Sequence, residues 1–187
     1  AGMSAPKIAM AWDEPTSSLS AGSLRFVIER QFNYPVTAIR AGNMSWANLS
    51  DYQVIILPSG NYARHLGAGG AENLKDWVSK GGVLITIANA TQWAASEKVG
   101  LLDVKREYAL KDEDVTAKGD GDVVEGTTIE NRQGFLNAIE NEQELPDYVA
   151  GILTRVEVDQ EHWLTAGVNS EVVAMVTGND IYSPIKL

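Results

Sequence analysis

Val54-Ile55-Ile56-Leu57-Pro58-Ser59-Gly60-Asn61 is the stretch on which the fold turns. Four consecutive apolar residues without polar alternation describe a strand buried on both faces, as a parallel sheet flanked by helices requires. Pro-Ser-Gly-Asn then stops the strand and opens a loop at its carboxyl end. Working outward, Lys7-Ile8-Ala9-Met10-Ala11-Trp12 repeats the pattern and breaks at Asp13-Glu14-Pro15. Thr16, Ser17 and Ser18 offer helix caps, and Leu24, Val27, Ile28 and Phe32 follow at helical spacing, which predicts one inward face. Asn33-Tyr34-Pro35 ends that helix, and Val36-Thr37-Ala38-Ile39 reads as a strand.

On the carboxyl side, residues 67–70 are glycine-rich and read as a flexible loop. Residues 71–80 then predict an amphipathic helix with Leu74, Trp77 and Val78 inward, closed by Gly81-Gly82 as a C-cap. Val83-Leu84-Ile85-Thr86-Ile87 reads as another buried strand, expected to lie beside residues 54–57 as a central strand covered on both faces. Alternating strands and helices predict an α/β, doubly wound, mostly parallel sheet with right-handed crossovers. Ligands in such sheets sit at the carboxyl ends of the strands.

At 187 residues, with 44% hydrophobic and 21% charged residues and a mean hydropathy of −0.13, the chain has an ordinary globular composition. A single domain, residues 1–187, is expected. The net charge of −10 is concentrated: residues 103–147 hold thirteen acidic and five basic residues, net −8, leaving −2 elsewhere. That segment reads as an acidic insertion peripheral to the core, with residues 132–141 expected to form one helix. The strand pattern returns at residues 152–158 and 172–176. No basic face is visible, which argues against a nucleic-acid partner. No apolar run reaches the ~20 residues of a membrane span. The start shows no basic segment followed by an apolar one, so no signal peptide is expected there. The end, which has no capping element, reads as a boundary inside a longer chain.

The absence of cysteine removes thiolate catalysis and thiolate zinc sites together. A nucleophile in a fold of this type occupies a sharp, strained turn between strand and helix. That turn must follow residue 87, which places Ala88 and Asn89 where the nucleophile would stand; neither can attack. Ala88 and Ala90 keep the small-residue signature of a tight elbow, while an ordinary turn capped by Asn89 or Thr91 is the simpler reading. His65 follows the 58–60 turn, and His162 lies in Asp159-Gln160-Glu161-His162-Trp163-Leu164. Each reads more readily as a hydrogen-bonding residue than as a catalyst. The acidic cluster does not follow the calcium-loop pattern, and no metal ligand set is assigned. A pocket at the strand ends would be built from Trp12, Asp13, Glu14, Ser59, Asn61, His65 and Asn89.

Trp12-Asp13-Glu14-Pro15-Thr16-Ser17, with the following helix and Gln31-Phe32-Asn33-Tyr34-Pro35-Val36-Thr37, resembles the class I glutamine amidotransferase-like domain behind the catalytic domain of some bacterial carboxypeptidase A-type zinc carboxypeptidases. Leu57-Pro58-Ser59-Gly60-Asn61-Tyr62, the Gly81-Gly82-Val83-Leu84-Ile85 strand entry and His162-Trp163-Leu164-Thr165-Ala166-Gly167 extend the similarity. The resemblance implies a flavodoxin-like three-layer sandwich. It also implies a non-catalytic accessory domain, partnered by a peptidase domain of the same polypeptide and exported from the cytoplasm. Zinc would belong to that peptidase domain: no zinc ligand or catalytic base carries over to any residue here, and no cofactor is expected in this chain. The rival expectation is a small-molecule or carbohydrate-binding domain using the carboxyl ends of the strands. An independent hydrolase using Ser59 is the third, and Ser59 has no visible base partner.

Overall fold

The computed structural model describes residues 5–108, 129–139 and 145–183. The chain divides into two compact units, one running through Val104 and the other from Lys105 onward.

In the first unit, β1 (Ile8–Trp12) pairs in parallel with β2 (Val36–Arg40) on one side and β3 (Val54–Leu57) on the other. β3 in turn pairs in parallel with β4 (Val83–Thr86). The order β2-β1-β3-β4 makes this an all-parallel α/β sheet, and the order reverses between β1 and β3, the place where such sheets open a crevice. The register sets Ile8 beside Val54 and Met10 beside Ile56, so alternate residues sort onto two faces. On one face Ala9, Ala11, Ile55 and Leu57 are buried with Met44, Leu66, Leu74, Trp77 and Trp93. On the other, Met10, Val36 and Ile56 are buried with Leu24 and Ile28 packed against them.

Three expectations change. β4 neighbours β3 as the sequence predicts, but among the described residues it is the last strand of its sheet, and Val83 and Ile85 are 39% and 36% exposed. A continuous apolar run reports that residues are apolar; it does not supply the strand or helix that would cover them. The first helix, α1 (Ser18–Arg25), passes into a π-helical turn, Phe26–Gln31, with Phe32 N–H donating to the Val27 carbonyl at 3.1 Å. The wider turn shifts the side-chain register. Leu24 and Ile28 stay inward, whereas Val27 and Phe32 are exposed.

The third change concerns residues 67–70. They lie inside α2 (Ala63–Ser79), which kinks at Gly67 (φ 53°, ψ −163°). Gly70 is needed for packing, since a Cβ there would stand 2.8 Å from the Leu66 Cβ. Asn73 Nδ2 holds the helix to the 3₁₀ segment Ala41–Ser45 and its exit, donating to the carbonyls of Met44 (2.7 Å) and Ala47 (3.1 Å).

The expected C-cap is present. Gly81 N–H donates to Val78 O (2.9 Å) and Gly82 N–H to Trp77 O (3.2 Å), the paired bonds of a Schellman motif with Gly81 at φ 97°. α3 (Asn89–Ala95) follows β4 and completes the first unit.

The second unit holds β5 (Arg106–Glu107), α4 (Arg132–Ile139), β6 (Val149–Glu157), β7 (Glu171–Gly178) and β8 (Ile181–Tyr182). β6 and β7 form an antiparallel pair and β5 pairs antiparallel with β8, so the strands expected at 152–158 and 172–176 exist but are not in the parallel sheet. The β6–β7 pair is apolar on both sides, with Ile152 and Val176 on one and Leu153, Val173 and Met175 on the other, all exposed. Arg106 is ion-paired with Asp180. Residues 109–128 and 140–144, most of the acidic segment, lie outside the described residues. Among the described residues no helix is long and apolar enough to cross a membrane.

Candidate functional site

Three chain segments leave the carboxyl ends of β1, β3 and β4. After β1, Asp13 adopts φ 69°, its carbonyl accepting from Thr16 N–H at 2.8 Å. Ser17 caps α1, its hydroxyl accepting from Ser20 N–H at 3.4 Å. This turn is stitched to the one after β3. Ser17 N–H donates to Ser59 O (2.7 Å), Ser59 N–H donates to the Ser20 hydroxyl (3.1 Å), and Thr16 bridges Gly60. The approach demands glycine at position 60, because a Cβ would sit 2.6 Å from the Pro15 carbonyl oxygen.

Tyr62, fully buried, anchors the β3 turn from beneath. Its phenol donates to Pro58 O at 2.9 Å and lies 3.1 Å from the Thr16 hydroxyl, which therefore donates to it. Burial raises the Tyr62 pKa, and the Thr16 bond opposes the shift. The Tyr62 ring meets Trp93 of α3 tilted at 48°, centroids 6.0 Å apart.

The turn after β4 is the strained one. Ala88 has φ 51° and ψ −120° and directly precedes α3. A residue with a Cβ is rarely held there. Bonds on both sides hold it: Ile87 N–H to Leu57 O (3.0 Å), Ala90 N–H to Ile87 O (3.1 Å) and Thr91 N–H to Ala88 O (2.8 Å). The ordinary capped turn that the sequence favours is not what forms. Ala88 itself occupies the N-cap position without any side-chain cap bond, and the Thr91 hydroxyl pairs with that of Thr86 at 3.1 Å.

Between the β3 and β4 turns lies an open pocket of about 280 Å³, lined by Gly60, Asn61, Ala63, Asn89, Gln92, Trp93 and Ser96. Of the residues expected at the strand ends, Asn61 and Asn89 are brought together here. Trp12 is elsewhere, packed on the α1 face of the sheet with the Arg25 guanidinium 5.3 Å from its ring centre. Asp13 faces Arg40 at 3.7 Å, and Glu14 is exposed. Ser59 is tied through its backbone to residues 17 and 20, and His65 is exposed on the first turn of α2. In the second unit His162 caps the 3₁₀ turn Trp163–Thr165, its Nδ1 accepting from Leu164 N–H at 3.2 Å.

Sequence reasoning did not select Gln92, Trp93 and Ser96. Their signal is spacing: 89, 92, 93 and 96 are i, i+3, i+4 and i+7, one face of a helix. Among the described residues no group of three or more His, Cys, Asp or Glu is placed to hold a metal ion.

The geometry defines an α/β domain whose parallel sheet delivers a strained strand-to-helix turn, with alanine at its apex, to the rim of a pocket lined by no ionisable side chain. No protein-family model matches the chain, and neither a curated protein nor a solved structure does.

Proposed function

We propose that this chain is a non-catalytic accessory domain of flavodoxin-like, class I amidotransferase-like architecture, serving a zinc carboxypeptidase domain of the same exported polypeptide. The strand order 2-1-3-4 supports the architecture. The observation that carries the reading is Ala88. Its backbone has the positive-φ strand-to-helix geometry that lifts a nucleophile out of a sheet, and its side chain is a methyl group. A turn so strained, with nothing to attack with, supports a scaffold or binding role over turnover. Zinc would be held by the peptidase domain; no residue of this chain is assigned to it.

The test has two parts. Purified chain is assayed for glutamine hydrolysis and for removal of carboxy-terminal residues from peptides, with no turnover expected. Turnover abolished by Ser59→Ala or His65→Ala would overturn the non-catalytic reading. The full reading frame is then examined for a domain carrying a His-x-x-Glu pair and a later His; its absence would overturn the accessory role.

A second reading, a small-molecule site at the strand ends, is favoured by one specific observation: Asn61 and Asn89, on different turns, line the same pocket.

A further inference from the structure

We infer that the strand-end pocket takes an uncharged, hydroxyl-rich ligand of about one ring, a neutral monosaccharide. The inference deepens the small-molecule reading of this site, rests on it, and is independent of any peptidase partner.

Gly60, Asn61, Ala63, Asn89, Gln92, Trp93 and Ser96 include no ionisable side chain. The lining supplies no counter-charge, so an ionic group gains no pairing here to offset the water it gives up. A charged ligand is therefore disfavoured here. What the lining offers are the carboxamides of Asn61 and Asn89, each of which both donates and accepts. Asn61 and Asn89 are exposed and stand on the two turns that flank the pocket. The Ser96 hydroxyl gives its proton to Trp93 O at 2.7 Å, so it faces a ligand as an acceptor. A hydroxyl group, donor and acceptor at once, matches this set at several points, and the exposed Ala63 adds an apolar contact for the CH groups of a sugar ring.

Size narrows the class. The volume of about 280 Å³ falls just below the ~300–1,000 Å³ of sites for drug-sized molecules. One ring fits the space better than a chain of them. The walls are preformed where it matters. Gly60 is fixed by the approach of Pro15 and Thr16, and Asn89 follows the strained Ala88, whose turn is bonded on both sides. Presenting a carboxamide from a rigid turn lowers the ordering cost of binding.

The test is an amide-resolved NMR titration of the whole chain. Glucose, galactose and N-acetylglucosamine are the neutral probes, and glucuronate and glucosamine are their charged counterparts. The expected result is saturable shifts at the Gly60, Asn61 and Asn89 amides for at least one neutral sugar, with a Kd on the order of 1–10 mM. Both charged probes should be weaker by about fivefold or more. Asn61→Ala and Asn89→Ala, both at exposed positions, should each weaken the neutral sugar about tenfold, close to 1.4 kcal/mol. Shifts at these amides from a charged probe as strong as from any neutral one overturn the inference and leave a ligand site standing. Equal affinity in wild type and both variants overturns it as binding elsewhere. Absence of saturable shifts from every probe overturns the inference.

Discussion

Replacing Ala88 by glycine should stabilise the protein, the reverse of what that change does at almost any other alanine. The positive φ and ψ of −120° at this residue lie where a Cβ clashes with its own backbone, at a cost of ~1–3 kcal/mol. Glycine removes the clash. Against that, the unfolded chain gains freedom, which costs the folded state ~0.4–1 kcal/mol. The difference is a net gain of ~1 kcal/mol. Valine in the same place adds a branched Cβ to the clash and should cost ~2 kcal/mol. The assay is urea unfolding followed by tryptophan fluorescence in a Trp163→Phe background, which leaves Trp12, Trp46, Trp77 and Trp93, all in the first unit. With a slope of ~2 kcal/mol per molar urea, the glycine variant's midpoint should rise by ~0.5 M. If Ala88→Gly instead loses ~0.5 kcal/mol or more, the ordinary penalty for glycine, residue 88 does not hold a positive φ and the elbow reasoning is refuted.

Ile56 and Ile85 pair directly across β3 and β4 but differ in burial, 5% against 36% exposed. Ile56→Ala should cost ~2–5 kcal/mol and Ile85→Ala ~1 kcal/mol; equal losses in the same unfolding assay would mean that something covers β4. Gly82→Ala would drive a Cβ to 2.3 Å from the Trp77 ring, and Trp77 is held by its bond to Tyr52 O at 3.0 Å. A loss of ~1–3 kcal/mol from overpacking is expected, and a neutral outcome would show that this Schellman motif is loose. Burial raises the Tyr62 pKa above its ordinary value near 10. Above that pH the Tyr62 phenol of the folded state holds its proton while that of the unfolded chain loses it, so the Tyr62 contribution to stability is level below pH 10 and falls as pH rises past it. Tyr62→Phe should be less stable near pH 7 by ~1 kcal/mol, from its lost hydrogen bonds, and should lack the Tyr62 share of the alkaline fall. Parallel slopes for the two proteins above pH 10 would refute the assignment.

β1 and β3 were legible because unbroken apolar runs leave a parallel sheet few alternatives, and the Gly81-Gly82 cap because only glycine fits both the turn and the Trp77 ring. The strands at 152–158 and 172–176 were legible as strands but not as an antiparallel pair, since alternation fixes which face a residue takes and not which strand it meets. The position of Trp12 was open to a parity argument: Ile8, Met10 and Trp12 share one face of β1, the α1 side, so proximity to the strand end did not place it in the pocket. The π-helical turn at 26–31 had no sequence marker, and Val27 within it and Phe32 after it are exposed. The glycine-rich stretch 67–70 misled because composition suggests a loop while the packing of Gly70 on Leu66 makes use of a missing Cβ inside a helix.

The residue that organises the site was the least legible in its conformation. Alanine gives no local sign of positive φ, as glycine or asparagine would, and the adjacent Asn89 draws the eye as a cap that it does not form. What fixes Ala88 comes from outside the turn. The Ile87 amide is held by Leu57 of β3, so the chain leaves the sheet one residue later than the end of β4 at Thr86. The Ala90 and Thr91 amides are already bonded to Ile87 and Ala88, so the helix begins at once. Residue 88 is left to absorb the whole change of direction. A conformation imposed from both sides persists whatever side chain stands there, which is why a strained turn can present a methyl group, and why its neighbours Asn61 and Asn89 are where its consequences for binding should be measured.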